Sequence, residues 1–596
     1  MRRKSIRLLG PAVETRFLPF VRRPGRYIGG EVNQVRKDLD ACDVRIALCF
    51  PDVYEIGMSH TGLAILYHVL NGLPGVAAER VFCPWIDAEA VLRRESIPLF
   101  TLESTAAVAD FDIVGFGLTN ELCYTNLLNA LDLAGLPIRA ADRGPDHPLI
   151  LAGGQAANAC EPIAPFVDLF VLGEGEQAVV QLMEQVRSAR AAGYTKQQMV
   201  RAAAEALDFV YAPSLYEFKY AGDRIISFDP MEPGLRTRFE NAVVEDLEAA
   251  PVPDRPIVPH VEPVHDRISI EVMRGCPGRC RFCQASYCRR PVRFRSVNRI
   301  VEIARTQYAA TGLDTIGLLS LSTGDYPHLP ELVERLRAEF EPRHVGLSIP
   351  SLRVQEELKL VPEGMTSVRK SGLTIAVEAA GERLRRIIHK PLRDEDLLAA
   401  VEAAYRVGFR RVKLYFMVGL PGETEEDVVR IVDLAMAVGE RRRDVDGRIA
   451  EVNAAVSWLV PKPHTPFQWL GQRDGAYFER ARRLLLDRKR RLRARFVTLK
   501  FHDIRRSVLE SAMGRGDRRL ADVVETAWRD GARFDLWDEC FDIDRWRRAF
   551  GVHGMDLDAA AQRCFDTDEI LPWEHLGGPR KETLLRHYRE TLGEFA

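Results

Sequence analysis

The chain has 596 residues, of which 46% are apolar and 28% charged, and a formal net charge of −2. That length exceeds a single hydrophobic core and implies about three to four domains, while the balanced charge excludes a strong overall pull towards nucleic acid or an anionic membrane. No apolar run reaches the ~18 residues of a membrane helix. Eleven cysteines without framework spacing, and an N-terminus interrupted by Pro11, Glu14 and Arg16, point to a reducing, cytoplasmic location without a secretory leader.

Strand and helix signals alternate through the first third, with strands expected over 44–50, 112–118, 149–152 and 167–172 and helices over 63–70 and 124–134. This alternation predicts a Rossmann-like, doubly wound α/β domain with an N-terminal extension over 1–210. Its Gly-rich turns, Gly153-Gly154 and Gly173-Glu174-Gly175-Glu176, fall at the carboxyl ends of strands, where such sheets bind ligands. Residues 211–265 carry Pro213, Pro230, Pro233, Pro251, Pro253, Pro256, Pro259 and Pro263 and read as a linker with one hairpin over 219–228. A second alternating set, with strands over 268–273, 315–321, 345–349, 374–377, 412–418 and 454–460, predicts a partial TIM-type (β/α)6 barrel over 266–475. The remainder, 476–596, reads as a helical domain that opens with a long Arg-rich helix over 477–496.

The densest chemistry lies just after the first barrel strand, in the run RGCPGRCRFC. Cys276, Cys280 and Cys283 have C-x3-C-x2-C spacing, with Phe282 before the last. Thiolates are the usual ligands of iron–sulfur clusters, and a cube takes four, so three on one loop leave an iron open for a substrate or cofactor. Zinc is the alternative, but a zinc ribbon pairs two C-x2-C knuckles, and the only nearby addition is Cys288. Cys288 reads as a small buried bystander.

This loop resembles the signature of the radical S-adenosylmethionine (SAM) proteins. With FPDVYEIGMSHTGLAILY, SLSTGDY, LYFMVGLPGETEED, PKPHTPFQW and RGDRRL, the chain resembles, more narrowly, an uncharacterised bacterial radical SAM family with an N-terminal cobalamin-binding-like domain. The resemblance implies a [4Fe–4S] cluster on Cys276, Cys280 and Cys283. SAM would chelate the open iron and be cleaved reductively to a 5′-deoxyadenosyl radical that abstracts hydrogen from a substrate. The electron would come from a reductant such as flavodoxin or ferredoxin. It places Phe282 beside the adenine, Gly324 and Asp325 near the methionine end, Glu378 at the ribose hydroxyls and the Gly419–Gly422 turn against the adenine. SLSTGDY departs from the GGE common in the superfamily. An ion pair with Arg383 or Arg385 is the alternative for Glu378, and Lys390 is read as a helix-end cap, with neutralisation of a carboxylate as its alternative.

For the first domain the resemblance implies a cobalamin site, with Gly153, Gly154, Gly173 and Gly175 cradling the cofactor tail. Tyr54 stands where the cobalt-ligating His of D-x-H-x-x-G would be, so no protein imidazole is expected beneath the metal. A vestigial or different-ligand role is the alternative. Lys462, His464 and Gln468 are expected to approach the barrel mouth, and the stretch from Arg480 to be a solvated helix rather than an RNA grip. The function expected is radical-initiated group transfer or methylation on an unknown substrate. Modification of tRNA or ribosomal components, and a non-catalytic iron–sulfur or cobalamin sensor, are the alternatives.

Overall fold

A computed structural model describes residues 5–349 and 373–593. The first domain is built on β1 (Val44–Phe50), β2 (Val76–Phe82), β3 (Ile113–Gly117), β4 (Leu149–Gly153), β5 (Leu169–Val171) and β6 (Val210–Tyr211), arranged β2-β1-β3-β4-β5-β6. All neighbours are parallel except β5 and β6. Val44, Ile46 and Leu48 of β1 enter one core and Ala47 and Cys49 enter another, as alternation across a strand buried on both faces requires.

Strand β2 is not legible in the sequence because Glu79 and Arg80 interrupt its apolar run. The fold pairs both groups instead of exposing them. Arg80, 2% exposed, bridges Glu31 at 2.9 Å and Glu103 at 2.6 Å, and Glu79 accepts hydrogen bonds from the Thr101 and Ser104 hydroxyls. The hairpin of the Pro-rich segment is β7 (Tyr216–Ala221) and β8 (Arg224–Pro230).

The second domain begins with β9 (Ile268–Glu271), followed by the short β10 (Met273–Arg274) and β11 (Arg293–Phe294), then β12 (Thr315–Leu319) and β13 (Gly346–Ser348). It continues with β14 (Leu373–Glu378), β15 (Arg411–Val418), β16 (Glu451–Trp458) and β17 (Val497–Phe501). Among the described residues these form two parallel sheets, β13-β12-β9 and β14-β15-β16-β17. Alternate residues, such as Ile268 and Ile270 or Val412, Leu414 and Phe416, pack outwards into helix-covered cores.

Strand β17 is a seventh parallel strand beyond the six expected. Its VTLKF alternation follows directly on the Arg-rich helix, which ends at Arg491 and not at 496. That helix and β17 belong to the barrel core through Phe478, Ala481, Leu485 and Val497. The later helices, Ile504–Gly514, Leu520–Arg529 and Ile543–Val552, share a core with the first domain. Trp537 Nε1 donates to Asp52 at 3.0 Å, Trp528 Nε1 to Asn129 at 3.3 Å, and the Phe534 amide to Asn126 at 2.8 Å. The C-terminal region therefore packs over the carboxyl ends of the first sheet's strands. Among the described residues no helix is long and apolar enough to cross a membrane.

Candidate cofactor site at the strand ends of the barrel

The cysteine loop leaves the carboxyl end of β9 and is closed at its base by antiparallel pairing of β10 with β11. Gly275 turns the chain at φ +87°, where a Cβ would stand 2.6 Å from the Arg289 carbonyl oxygen and 2.8 Å from that of Pro291. Only glycine fits both demands. Inside the loop, the Cys283 amide donates to the Cys280 carbonyl at 3.0 Å, and Arg290 donates to the carbonyls of Ser286 and Gly278 at 2.8 and 2.9 Å. Outside it, Arg281 anchors the loop to the turn after β14 through its amide to Ile388 at 3.0 Å and its guanidinium to Ile387 at 2.8 Å. The last helix, Lys581–Gly593, braces the other side, with His587 Nδ1 3.1 Å from the Tyr287 hydroxyl and Glu590 3.3 Å from Arg281.

All three cysteines are free thiols. Burial pushes the Cys280 thiol up to about 11; the Lys390 charge acts the other way, and Cys283, Cys276 and Glu378 add to the rise. Cys280 therefore lies within electrostatic reach of Lys390, Cys283, Cys276 and Glu378. Among the described residues no three His, Cys, Asp or Glu side chains gather closely enough to share a single metal ion. The thiolates of a cube each bind a different iron and so stand further apart than ligands of one ion. Cys288 is half-buried, and desolvation raises its thiol to about 12.

Glu378 ends β14 at a bulge and has a φ of +67°. Its carboxylate accepts from Lys390 Nζ at 3.0 Å, so Lys390 does not cap a helix. Neither alternative partner of Glu378 reaches it. Arg383 is held by Asp427 at 2.6 Å and by the Gly422 carbonyl at 2.8 Å, and Arg385 by Asp394. Phe282 packs in a small apolar cluster with Ala379, Met417 and Leu420, which joins the cysteine loop to the ends of β14 and β15. Gly324 and Asp325 lie in a tight turn after β12, where Ser322 Oγ donates to Asp325 at 2.6 Å. Gly419 (φ +97°) and Gly422 (φ +72°) shape the turn after β15, and a Cβ on Gly419 would meet the Phe478 ring at 2.8 Å. The turn ends in a capping box in which Thr424 and Asp427 start the helix Glu425–Glu440.

Glu423 closes this turn by accepting from the Gly419 amide at 2.7 Å and from the Tyr477 hydroxyl. Burial pushes its carboxyl up to about 7, against those hydrogen bonds. The unfolded chain ionises Glu423 near 4.5, so the folded state is favoured at low pH and loses stability as pH rises from there to about 7. Glu423→Gln should remove that loss, which is on the order of 3 kcal/mol. Thermal unfolding of both proteins at pH 5 and pH 8 reads it: the variant should gain on the wild type as pH rises, and parallel curves would refute the assignment.

The strand-end glycines of the first domain lie tight against neighbouring backbone and side chains. A Cβ on Gly154 (φ +111°) would stand 2.4 Å from the Leu118 carbonyl oxygen, and one on Gly173 (φ +90°) 2.4 Å from that of Ala242. Gly153 lies against the Val171 carbonyl and Gly175 against Leu66. Tyr54 is buried, donates to Glu31 at 3.0 Å and accepts from the His260 amide at 3.1 Å. The close packing of backbone at Gly154 and Gly173 accounts by itself for the need for glycine there.

The turns also join the domains. Glu174 grips Arg293 with both oxygens at 2.7 and 2.8 Å, and Arg274 reaches Glu176 at 2.6 Å and Glu271 at 2.7 Å. Gln155, next to Gly154, lies 3.5 Å from Gln284 of the cysteine loop. The sequence gives no sign of this network, because its partners lie far apart along the chain.

Of the PKPHTPFQW segment, Phe467 joins the Phe282 cluster at the strand ends, while Lys462, His464 and Gln468 are engaged by other parts of the chain. Lys462 is held by Glu510 at 2.7 Å and Glu121 at 3.2 Å, and His464 Nε2 lies 2.9 Å from the Asn158 carbonyl. Burial pushes the His464 imidazole down to about 4, so it is neutral. Gln468 accepts from Trp573 Nε1 at 2.9 Å. The Arg-rich helix carries ion pairs, Arg480 with Glu425, Arg488 with Asp433 and Arg490 with Asp487, as a solvated face does.

A parallel barrel presenting three thiols at its strand ends, tied by buried ion pairs to a doubly wound domain, defines a cofactor-dependent α/β enzyme. The chain is a radical SAM enzyme. Residues 270–435 match the radical SAM superfamily, and residues 62–213 match the domain described as "Radical SAM proteins, N-terminal". It is similar to an uncharacterised protein of Methanocaldococcus jannaschii, 25% identical over 487 residues that make up 80% of this chain and 90% of that one. A ribosomal protein uS12 methylthiotransferase RimO of Desulfotalea psychrophila is 28% identical over 176 residues, 28% of this chain and 39% of that one. Among solved structures, the cobalamin-dependent SAM radical enzyme OxsB superposes with a TM-score of 0.48 at 12% identity, covering 93% of this chain and 83% of that one.

Proposed function

We propose that Cys276, Cys280 and Cys283 hold a [4Fe–4S] cluster and that the enzyme catalyses radical-initiated group transfer, with methylation as the favoured form. The observation that carries this reading is the anchored loop: Cys276, Cys280 and Cys283 span eight residues after β9, and the loop is held by the β10–β11 pairing and by Arg281 to Ile387 and Ile388. The donor set fits: three free thiols on one anchored loop supply soft ligands and leave room for a further ligand. A cluster bound there with SAM supplies one-electron cleavage of the sulfonium to a 5′-deoxyadenosyl radical.

The chain's own residues position the reactants. Glu378, oriented by Lys390, is placed to accept from ribose hydroxyls. Phe282 with Met417 and Leu420 offers an apolar wall that keeps water from the reacting carbon. The Gly419–Gly422 turn brings backbone close to a flat ligand, and Asp325 offers a carboxylate at the end of β12. A flavodoxin or ferredoxin is the reductant this reading calls for.

The test is anaerobic reconstitution with iron and sulfide, reduction with dithionite and measurement of 5′-deoxyadenosine formed from SAM. Wild type should form it even without substrate. Glu378→Gln should keep the cluster's absorbance and weaken SAM binding at least tenfold. An intact cluster that neither binds nor cleaves SAM would favour a non-catalytic role.

A further inference from the structure

A cavity of about 520 Å³ lies between the helix Thr61–Gly72, the Pro-rich segment and the edge of β9 that is unpaired among the described residues. That is within the ~300–1,000 Å³ of small-molecule sites. Its walls are partly apolar, with Met58, Tyr67, Pro256 and Ile257 among them, and partly cationic.

Two guanidiniums on the wall lack partners for their charge. Arg295 is 2% exposed, its Nε has no hydrogen-bond partner among the described residues, and the side-chain hydrogen bonds it makes to them are long ones from Nη1, at 3.4 and 3.5 Å to the carbonyls of Ala250 and Glu248. The carboxylates nearest it are committed elsewhere: Glu271 to Arg274 at 2.7 Å, and Glu248 to the Ser296 amide and hydroxyl at 2.7 and 2.6 Å. Arg267 crosses the space left by Gly317, has an unpaired Nε and makes one 3.4 Å contact, to Ser348 Oγ. A buried charge without a counterion costs several kcal/mol, and burial accordingly lowers the Arg295 pKa. Of the other acids on the wall, Asp254 lies 3.7 Å from His68, and Asp266 is exposed at the rim. The N-terminal end of the helix Thr61–Gly72, at His60 and Thr61, adds its positive dipole end.

We infer that this cavity is a second ligand site, which binds a small organic anion by its phosphate or carboxylate group at Arg295 and Arg267 and its apolar body along the helix Thr61–Gly72. The inference does not depend on the reaction at the cysteine loop. An anion there supplies the counterion that the fold withholds from Arg295 and ties the first domain to β9, the strand that delivers the cysteine loop.

Isothermal titration of the full chain with inorganic phosphate and, separately, with acetate tests it, and the arm that saturates identifies the anionic group. Arg295→Gln should weaken binding at least tenfold and Arg267→Gln at least threefold, while Arg305→Gln, exposed and paired with Glu339, should leave it unchanged. Should Arg295→Gln not fold, the half-buried Arg267 decides alone. No saturable binding of either anion, or an affinity unmoved by Arg267→Gln and Arg295→Gln, overturns the inference.

Discussion

Replacing any one of Cys276, Cys280 and Cys283 with serine should abolish the iron–sulfur chromophore and SAM cleavage together, leaving the fold intact. Serine keeps the size of the side chain but offers a hard, weakly acidic hydroxyl where iron–sulfur chemistry needs a thiolate. The loop itself is held by groups other than the thiols: the β10–β11 pairing, Arg281 to Ile387 and Ile388, and Arg290 to Ser286 and Gly278. Circular dichroism and melting of the metal-free proteins should therefore match the metal-free wild type. Iron should fall from about four per chain to a small residue, and deoxyadenosine formation to background. Cys288→Ser, at a bystander, should change neither. A variant among the three that retains full iron would remove that cysteine from the ligand set.

Arg274→Met should produce the largest loss of stability. Arg274 is the shared partner of Glu174, Glu176 and Glu271, and its side chain is 12% exposed. Removing one partner of a buried ion pair costs about 3–5 kcal/mol, because the remaining charge stays buried without a counterion. Here three carboxylates lose it, and only Glu174 keeps a second arginine, Arg293. Adding Glu176→Gln to Arg274→Met should recover part of the loss, since it neutralises one orphaned group. Because several cores unfold, the useful readouts are the first thermal transition and proteolysis of the junction between domains. Simple additivity of the two substitutions would show that the network carries no shared energy.

The sequence made the barrel and the doubly wound sheet legible because most of their strands are apolar or β-branched runs that a single charge does not break up. Val412 to Val418, with Lys413, and Val44 to Phe50, with Arg45, are of this kind. It hid β2, where Glu79 and Arg80 look like surface residues until Glu31, Glu103, Thr101 and Ser104 arrive from elsewhere in the chain. It hid β17 behind a run of arginines. The cysteine loop was readable because its residues are adjacent, and Glu378 because it ends a strand. The partner of His464 was not, since Asn158 approaches only through the tertiary fold, and Lys390 was legible only as a candidate to neutralise some carboxylate, not as the partner of Glu378. Glycines at strand ends were ambiguous for a physical reason. A missing Cβ makes room equally for a ligand or for another stretch of backbone, and at Gly154 and Gly173 the backbone takes it.

The most direct measurement of the central claim is electron paramagnetic resonance of the anaerobically reconstituted, reduced protein with and without SAM. The account predicts the signal of a reduced [4Fe–4S] cluster whose shape changes when SAM is added, because SAM reaches the iron that no cysteine holds. A protein that takes up stoichiometric zinc and no iron, or a cluster signal indifferent to saturating SAM, would contradict it.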